Sequence, residues 1–261
     1  MKKRIIIIAA VLSMMAGLIT GCGSNASSDS DMAYIKEKGN LVVGITDFAP
    51  MDYQENGEWT GFDADLARKV GEDLGVEIQF VEIDWDNKIL ELDNKSIDVV
   101  WNGMTLTEEV SSAMACTKPY LNNAQTVVVK ADKADTWNTI DAVKQIRFAV
   151  EAGSAGEAAA VDNGFEHTSL TAQADTLMEV EAGTSDAAII DSLMAGAMVG
   201  EGTSYPDLTH TVDLTVDEYV VGCRKGSDLA AYIDDEIKKF ADDGSLLALA
   251  EKYGVQEALI K

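Results

Sequence analysis

Two stretches of this 261-residue chain copy each other: ELDNKSIDVVWNG (91–103) and EVEAGTSDAAIID (179–191) align without a gap. Each reads as a helix end, a turn, an aspartate and an apolar strand, so the chain must house the same α-β step twice. Around the first copy, 41–46 (LVVGIT) is a buried-strand run. Phe62, Leu66, Val70 and Leu74 then recur every four residues up to Gly75, with Asp63 as the expected N-cap. Residues 76–83 alternate as a strand, 85–92 form a short helix, and 97–102 form a third strand. The rhythm restarts after Pro119. Residues 125–130, 147–153 and 185–191 read as strands, a helix begins near Ser154, and an Ala/Met-rich helix follows Asp191. A late strand (218–226) precedes two helices, 228–241 and 246–253. The order predicts two α/β units with largely parallel sheets. Ligands of open α/β sheets lie beyond the carboxyl ends of the strands, which places the equivalent strand ends Gly103 and Asp191 at a shared cleft. Asp98 and Asp186 enter the strands from the other end and read as turn or capping residues.

The N-terminus carries Lys2, Lys3 and Arg4, then an apolar run to Thr20, then LITGC ending at Cys22. The run is short for a membrane span, which needs roughly 20 apolar residues, and the pattern is that of a bacterial lipoprotein signal: residues 1–21 removed, Cys22 lipidated. Two acyl chains at ~0.8 kcal/mol per buried CH₂ anchor stably. Residues 23–31 (GSNASSDSD) read as a flexible tether. Removal of 1–21 takes away three cations and no acid, turning the net charge of −25 into −28. Such a charge excludes a nucleic-acid partner. Beyond Cys22 the cysteines are Cys116 and Cys223, and the histidines are His167 and His210. No metal site, cofactor site or catalytic thiol is expected, and the two cysteines read as free thiols with a disulfide as the alternative.

With these elements in place, the chain resembles the extracytoplasmic solute-binding proteins of polar amino-acid ABC transporters (bacterial family 3). The match runs from 41 to 253 through LVVGITDFAPMDY, GEWTGFDADLARKVGEDLG, IDVVWNGMTLTEE, TKPYLNNAQTVVVK, AGSAGE, SDAAIID and DDGSLLALAEKYG. The resemblance implies an α/β, two-lobed, periplasmic-binding-protein-like (type II) fold closing about two hinge strands. Lobe 1 would be 34–120 plus 221–261 and lobe 2 would be 121–220, after a signal (1–21) and a lipidated, tethered stretch (22–33). Tyr120 and Val220 would lie near the crossings, and Cys116 and Cys223 would be neighbours. A monomer is implied, with a small amino acid or amine as ligand, an ABC permease as partner and the outer face of the cell membrane as its location.

Residue by residue, the resemblance makes Phe48 the ring that stacks on the ligand and Trp85 a second apolar wall, with a core role as the alternative for Trp85. Trp101 reads as packing. Gly103 would give a carbonyl to a ligand ammonium, and Thr105 its N–H and hydroxyl to a carboxylate, with Asn102 beside them. Asp191 would pair with the ammonium or, alternatively, cap the helix from Ser192. Ser154 would contact ligand from a helix N-terminus, and Glu151 would help set side-chain specificity, with Asp47 as a further acid. One position departs: the family's arginine that clamps a carboxylate is replaced by Val110, and Arg68, Arg147 and Arg224 lie in no segment expected at the cleft. The resemblance therefore implies an aromatic, acid-rich pocket for a cationic ligand. A fold-related enzyme of the cyclohexadienyl dehydratase type, using Glu151 as general acid, is the alternative from another class.

Overall fold

The computed structural model describes residues 30–260. Cys22 and the expected signal, residues 1–21, lie outside the described residues. In chain order the elements are α1 (Asp31–Lys38), β1 (Asn40–Ile45), β2 (Tyr53–Glu55), β3 (Glu58–Thr60), α2 (Phe62–Leu74) and β4 (Glu77–Glu82). A 3-10 turn (Trp85–Asn87) runs into α3 (Lys88–Asp93), followed by β5 (Val99–Thr105), α4 (Glu108–Ala113), β6 (Met114–Cys116) and β7 (Leu121–Asn123). Next come β8 (Gln125–Lys130), α5 (Ile140–Val143), β9 (Arg147–Glu151), α6 (Ala155–Asn163), β10 (Glu166–Leu170), α7 (Gln173–Ala182) and β11 (Ala187–Asp191). The last elements are α8 (Ser192–Met198), β12 (Leu208–Asp213), β13 (Asp217–Arg224), α9 (Leu229–Asp242) and α10 (Ser245–Tyr253).

The strands form two main sheets. The first has the order β4-β1-β5-β13-β6 with β7 also on β13, and the second the order β10-β9-β11-β8-β12. Within each, the strands joined through helices pair in parallel, β1 with β4 and β5, and β9 with β10 and β11. Strand β13 enters the first sheet antiparallel to β5, as β8 enters the second antiparallel to β11. The chain crosses between sheets at Ala124 and again at 214–216, a few residues from the expected borders at 120 and 220. Continuous apolar strands arise because both faces are covered. In β8, Val127 and Val129 pack in one cluster and Val128 in the other, and in β11 Ala187 and Ile189 oppose Ala188 and Ile190 in the same way.

The sequence repeat is a structural repeat at a fixed offset of 88 residues. The Glu91 carbonyl accepts from Ser96 and Ile97, and the Glu179 carbonyl from Thr184 and Ser185. Lys95 (φ 61°) and Gly183 (φ 79°) make the same left-handed turn. Asp98 and Asp186 do more than turn or cap. Each grips the start of the neighbouring parallel strand, the Asp98 carboxylate accepting from Val42 N–H at 2.8 Å and Asp186 from Arg147 N–H at 2.9 Å. Asp98 is also fully buried among Lys38 and Arg224, and Arg224 in turn holds Asp31. That ion cluster recruits Asp31 into α1, capped by Ser30, so helix replaces part of the expected tether. Asp63 is not a cap either. Gly61 holds the N-cap position with φ 127°, where a Cβ would lie 2.1 Å from the Met51 carbonyl oxygen. Asp63, two residues further in, is drawn to a buried N–H and a phenol instead.

Candidate functional site

A cleft of about 440 Å³ opens between the carboxyl ends of the two sheets. From the first sheet, β5 kinks as it arrives: Val220 and Gly222 of β13 face Met104 and Val100, so 101–103 form a bulge. Gly103 at its apex has φ 55°, and a Cβ there would lie 2.4 Å from Phe48 Cε1 and 3.0 Å from Tyr219 Cε2. Only glycine fits this approach. Its N–H donates to Asp63 Oδ2 at 2.6 Å, and Tyr120 donates to the same carboxyl. Burial pushes Asp63 up to about 7, against the pull of these two hydrogen bonds. Phe48 and Tyr219 meet edge to face at 6.3 Å. Leu106 N–H donates to the Glu218 carbonyl, which by antiparallel alternation leaves the Thr105 N–H off that ladder. Asn102 lines the cleft, but both ends of its amide are engaged by Thr46, at 2.7 and 2.8 Å.

From the second sheet, Asp191 ends β11 with its carboxylate buried. Asn123, Gln125 and Tyr219 donate to Oδ1, the latter two at 2.9 Å each, and Gln173 donates to Oδ2 at 3.0 Å. It makes no capping bond to α8. Burial raises it to about 6, and its donors hold it from rising further. Glu151 ends β9 and is buried, which pushes it up to about 8; Gln173 and Lys88 oppose that rise and Asp191 adds to it. Its Oε1 has no partner among the described residues. Ser154 caps α6 by accepting from Glu157 N–H at 3.1 Å, so the hydroxyl oxygen is already in use at the helix terminus that faces the cleft.

All eight expected contact residues, Phe48, Trp85, Asn102, Gly103, Thr105, Glu151, Ser154 and Asp191, therefore line one cleft. Trp85 serves two ends, lining the cleft while packing with Leu92, Val110 and Met114. Trp101 is wholly buried. Asp47 is a correction: it is exposed and absent from the lining, and its carboxyl is raised by partial burial and by Asp175 across the rim. Val110 lines the cleft with its isopropyl group, and the described arginines are engaged elsewhere: Arg68 with Asp65, Arg147 with Asp186, Arg224 with Asp31 and Asp98.

Sequence reasoning missed three groups. Gln173 donates to Asp191 and accepts from its N–H at 2.8 Å; a lone glutamine carries no sequence signal. Glu108, Glu109, Asp162 and Asp217 add four acids to the lining. Lys88 is its one ammonium, and it is buried; the signal that could have found it is the spacing Trp85, Lys88, Leu92, which puts a lysine on the apolar face of a helix.

A sequence model of the bacterial extracellular solute-binding proteins, family 3, matches residues 41–256. The L-cystine-binding protein TcyJ of Escherichia coli K12 is 29% identical over 251 residues, covering 94% of each chain. The arginine-binding extracellular protein ArtP of Bacillus subtilis is 28% identical, covering 97% of this chain and 98% of its own. Among solved structures, an ancestral amino acid-binding protein described as a precursor of cyclohexadienyl dehydratase superposes with a TM-score of 0.78 at 30% identity, covering 86% of this chain and 99% of its own.

Proposed function

Because this chain belongs to the bacterial extracellular solute-binding proteins, family 3, we propose that it is the substrate-binding subunit of an ABC importer, anchored through a lipid on Cys22 and capturing a small cationic amino acid or amine. The bound solute is handed to a membrane permease, and the protein works as a monomer whose two lobes exchange chain at Ala124 and 214–216 rather than at 120 and 220. One observation carries the ligand class: six carboxyl side chains line the cleft against a single ammonium, Lys88, with no arginine among them. A buried anion left unpaired costs about 3 to 5 kcal/mol, which disfavours ligands whose only charge is a carboxylate. Asp191 and Glu151 instead offer acceptors beside Phe48 and Trp85, whose faces attract a cation by ~0.5 to 2 kcal/mol. The dehydratase alternative draws support from the raised Glu151, yet its substrates are carboxylates and would meet the same acids.

Calorimetry over amino acids paired with their decarboxylated amines tests the ligand class. Amines are expected to retain binding, and Asp191→Asn to weaken it about ten- to hundredfold, the range for one charge-assisted hydrogen bond. Binding that collapses without the carboxylate while surviving Asp191→Asn refutes the cationic reading. For the anchor, Cys22→Ser is expected to move the protein out of the membrane fraction, and undiminished membrane association would refute lipidation.

A further inference from the structure

Lys88 begins α3 on the first-sheet side of the cleft, and its ammonium donates to the Gly153 carbonyl on the other side at 2.8 Å and to its own Trp85 carbonyl at 3.2 Å. The same ammonium lies 4.9 Å from the Trp85 ring centroid. Gly153 stands two residues beyond β9 with φ 68°, and a Cβ on it would lie 2.7 Å from Asp86 Oδ1 and 2.9 Å from Asp86 Cα. Here backbone meets backbone across the cleft. Every other hydrogen bond found between the two units among the described residues lies at the crossing strands, where Asn123, Gln125, Asp191, Ser192, Leu193, Asp217 and Tyr219 interlink. The Lys88 bond alone spans the cleft away from the hinge.

We propose that Lys88 is a cross-cleft latch: its ammonium, held against Trp85, captures the Gly153 carbonyl when the two units close and sets how long they stay closed. The hydrogen bond exists only while the units are together, so it stabilises the closed state and leaves the open one unchanged. Burial lowers the pKa of the ammonium, and Glu109, Glu151, Asp86 and Glu157 oppose that shift. Gly153 is the matching half, since any side chain there would hold the units apart. The latch rests on the reading of the chain as a closing solute-binding protein, and it is separable from that reading by experiment.

The test is pulsed electron-electron distance measurement on the full chain in detergent, without added solute. Spin labels go on Leu90→Cys and Val161→Cys, exposed positions on α3 and α6, in a Cys116→Ser background. Cys223 is fully buried with its thiol pushed far up, and stays unlabelled. Lys88→Met is expected to lower the ratio of short to long distances about ten- to hundredfold, the factor for one hydrogen bond to a charged group. Gly153→Ala should shift the distribution the same way by pressing its methyl on Asp86, and decides the matter should Lys88→Met fail to fold. An unchanged distribution in a folded Lys88→Met chain, or in Gly153→Ala if only that variant folds, overturns the latch. Absence of binding to every amino acid and amine tried would refute the solute-binding reading without touching this result.

Discussion

On the proposed reading of the cleft, Glu151 is one residue that ties ligand charge to solution pH. Gln173 approaches its Oε2 at only 3.5 Å, Asp191 lies beyond the same amide, Lys88 faces it across the cleft, and Oε1 has no partner. Burial that the Gln173 donors only partly offset favours the protonated acid, hence the value of about 8 against an ordinary 4.5. The sign follows for stability: between these two values the folded chain keeps a proton that the unfolded chain has released. The stabilisation this gives is complete below the ordinary value and is lost as pH rises toward 8. A bound cation reverses the preference by pairing with the carboxylate and expelling the proton. Asp191, at about 6, is already largely ionised above that pH. Affinity for a cationic ligand is therefore expected to rise between pH 6 and 8, by up to about tenfold per unit. Calorimetry in buffers of different protonation heat should find close to one proton released per ligand near neutrality, and Glu151→Gln should flatten the dependence. An affinity independent of pH over this range in the unmodified chain would show that the ligand does not engage Glu151.

At the scale of elements, what the sequence made legible was whatever local pattern dictates. Strand β8 spans the expected 125–130, the apolar face of α2 has the expected spacing, and the 88-residue offset holds to the level of single backbone hydrogen bonds. Short, polar or edge elements escaped. Strands β6, β7, β10 and β12 owe their existence to a neighbouring strand, and nothing in EHTSL or LTHTVD declares it. Long-range partners escaped too: Asp98 meets Lys38 and Arg224, 60 and 126 residues away, and no spacing encodes such a cluster. The site divides along the same line. Asp191 follows from strand-end position, Gly103 sits in a bulge two residues short of the end of β5, and Gln173 depends on where α7 lands. Register also explains the cysteines. Cys116 faces Gly222 and Cys223 faces Ala115 on adjacent strands, so a one-residue offset turns the two thiols to opposite faces of the sheet. Cys223 packs in one core cluster and Cys116 against the other, and both are free.

For the whole molecule, the proposed ligand site and the crossing strands share atoms. Asp191 receives Asn123 and Tyr219 from the first sheet beside the crossings, while Gln173, from the second, shapes its other oxygen. A solute seated on Asp191, Glu151 and the Gly103 bulge touches both units at once, so it binds the closed form better than the open one. Such differential affinity is the only means by which a ligand can shift the equilibrium. The latch biases that equilibrium beforehand: the bond from Lys88 to Gly153 adds to the closed state whether or not solute is present. Two consequences separate hinge from latch in small-angle scattering with a cationic ligand identified by calorimetry. Saturation is expected to reduce the radius of gyration of the unmodified chain, because the open fraction is drawn shut. The reduction should be larger in Lys88→Met, whose unliganded ensemble starts more open, while the two liganded forms converge as solute contacts dominate. A ligand at 100 times its dissociation constant supplies about 2.7 kcal/mol, comparable with the 1.5 to 3 kcal/mol of one charge-assisted hydrogen bond, so solute can stand in for the missing latch. Equal scattering with and without ligand in both chains would mean that the units do not move about Ala124 and 214–216, and the closing mechanism would fall.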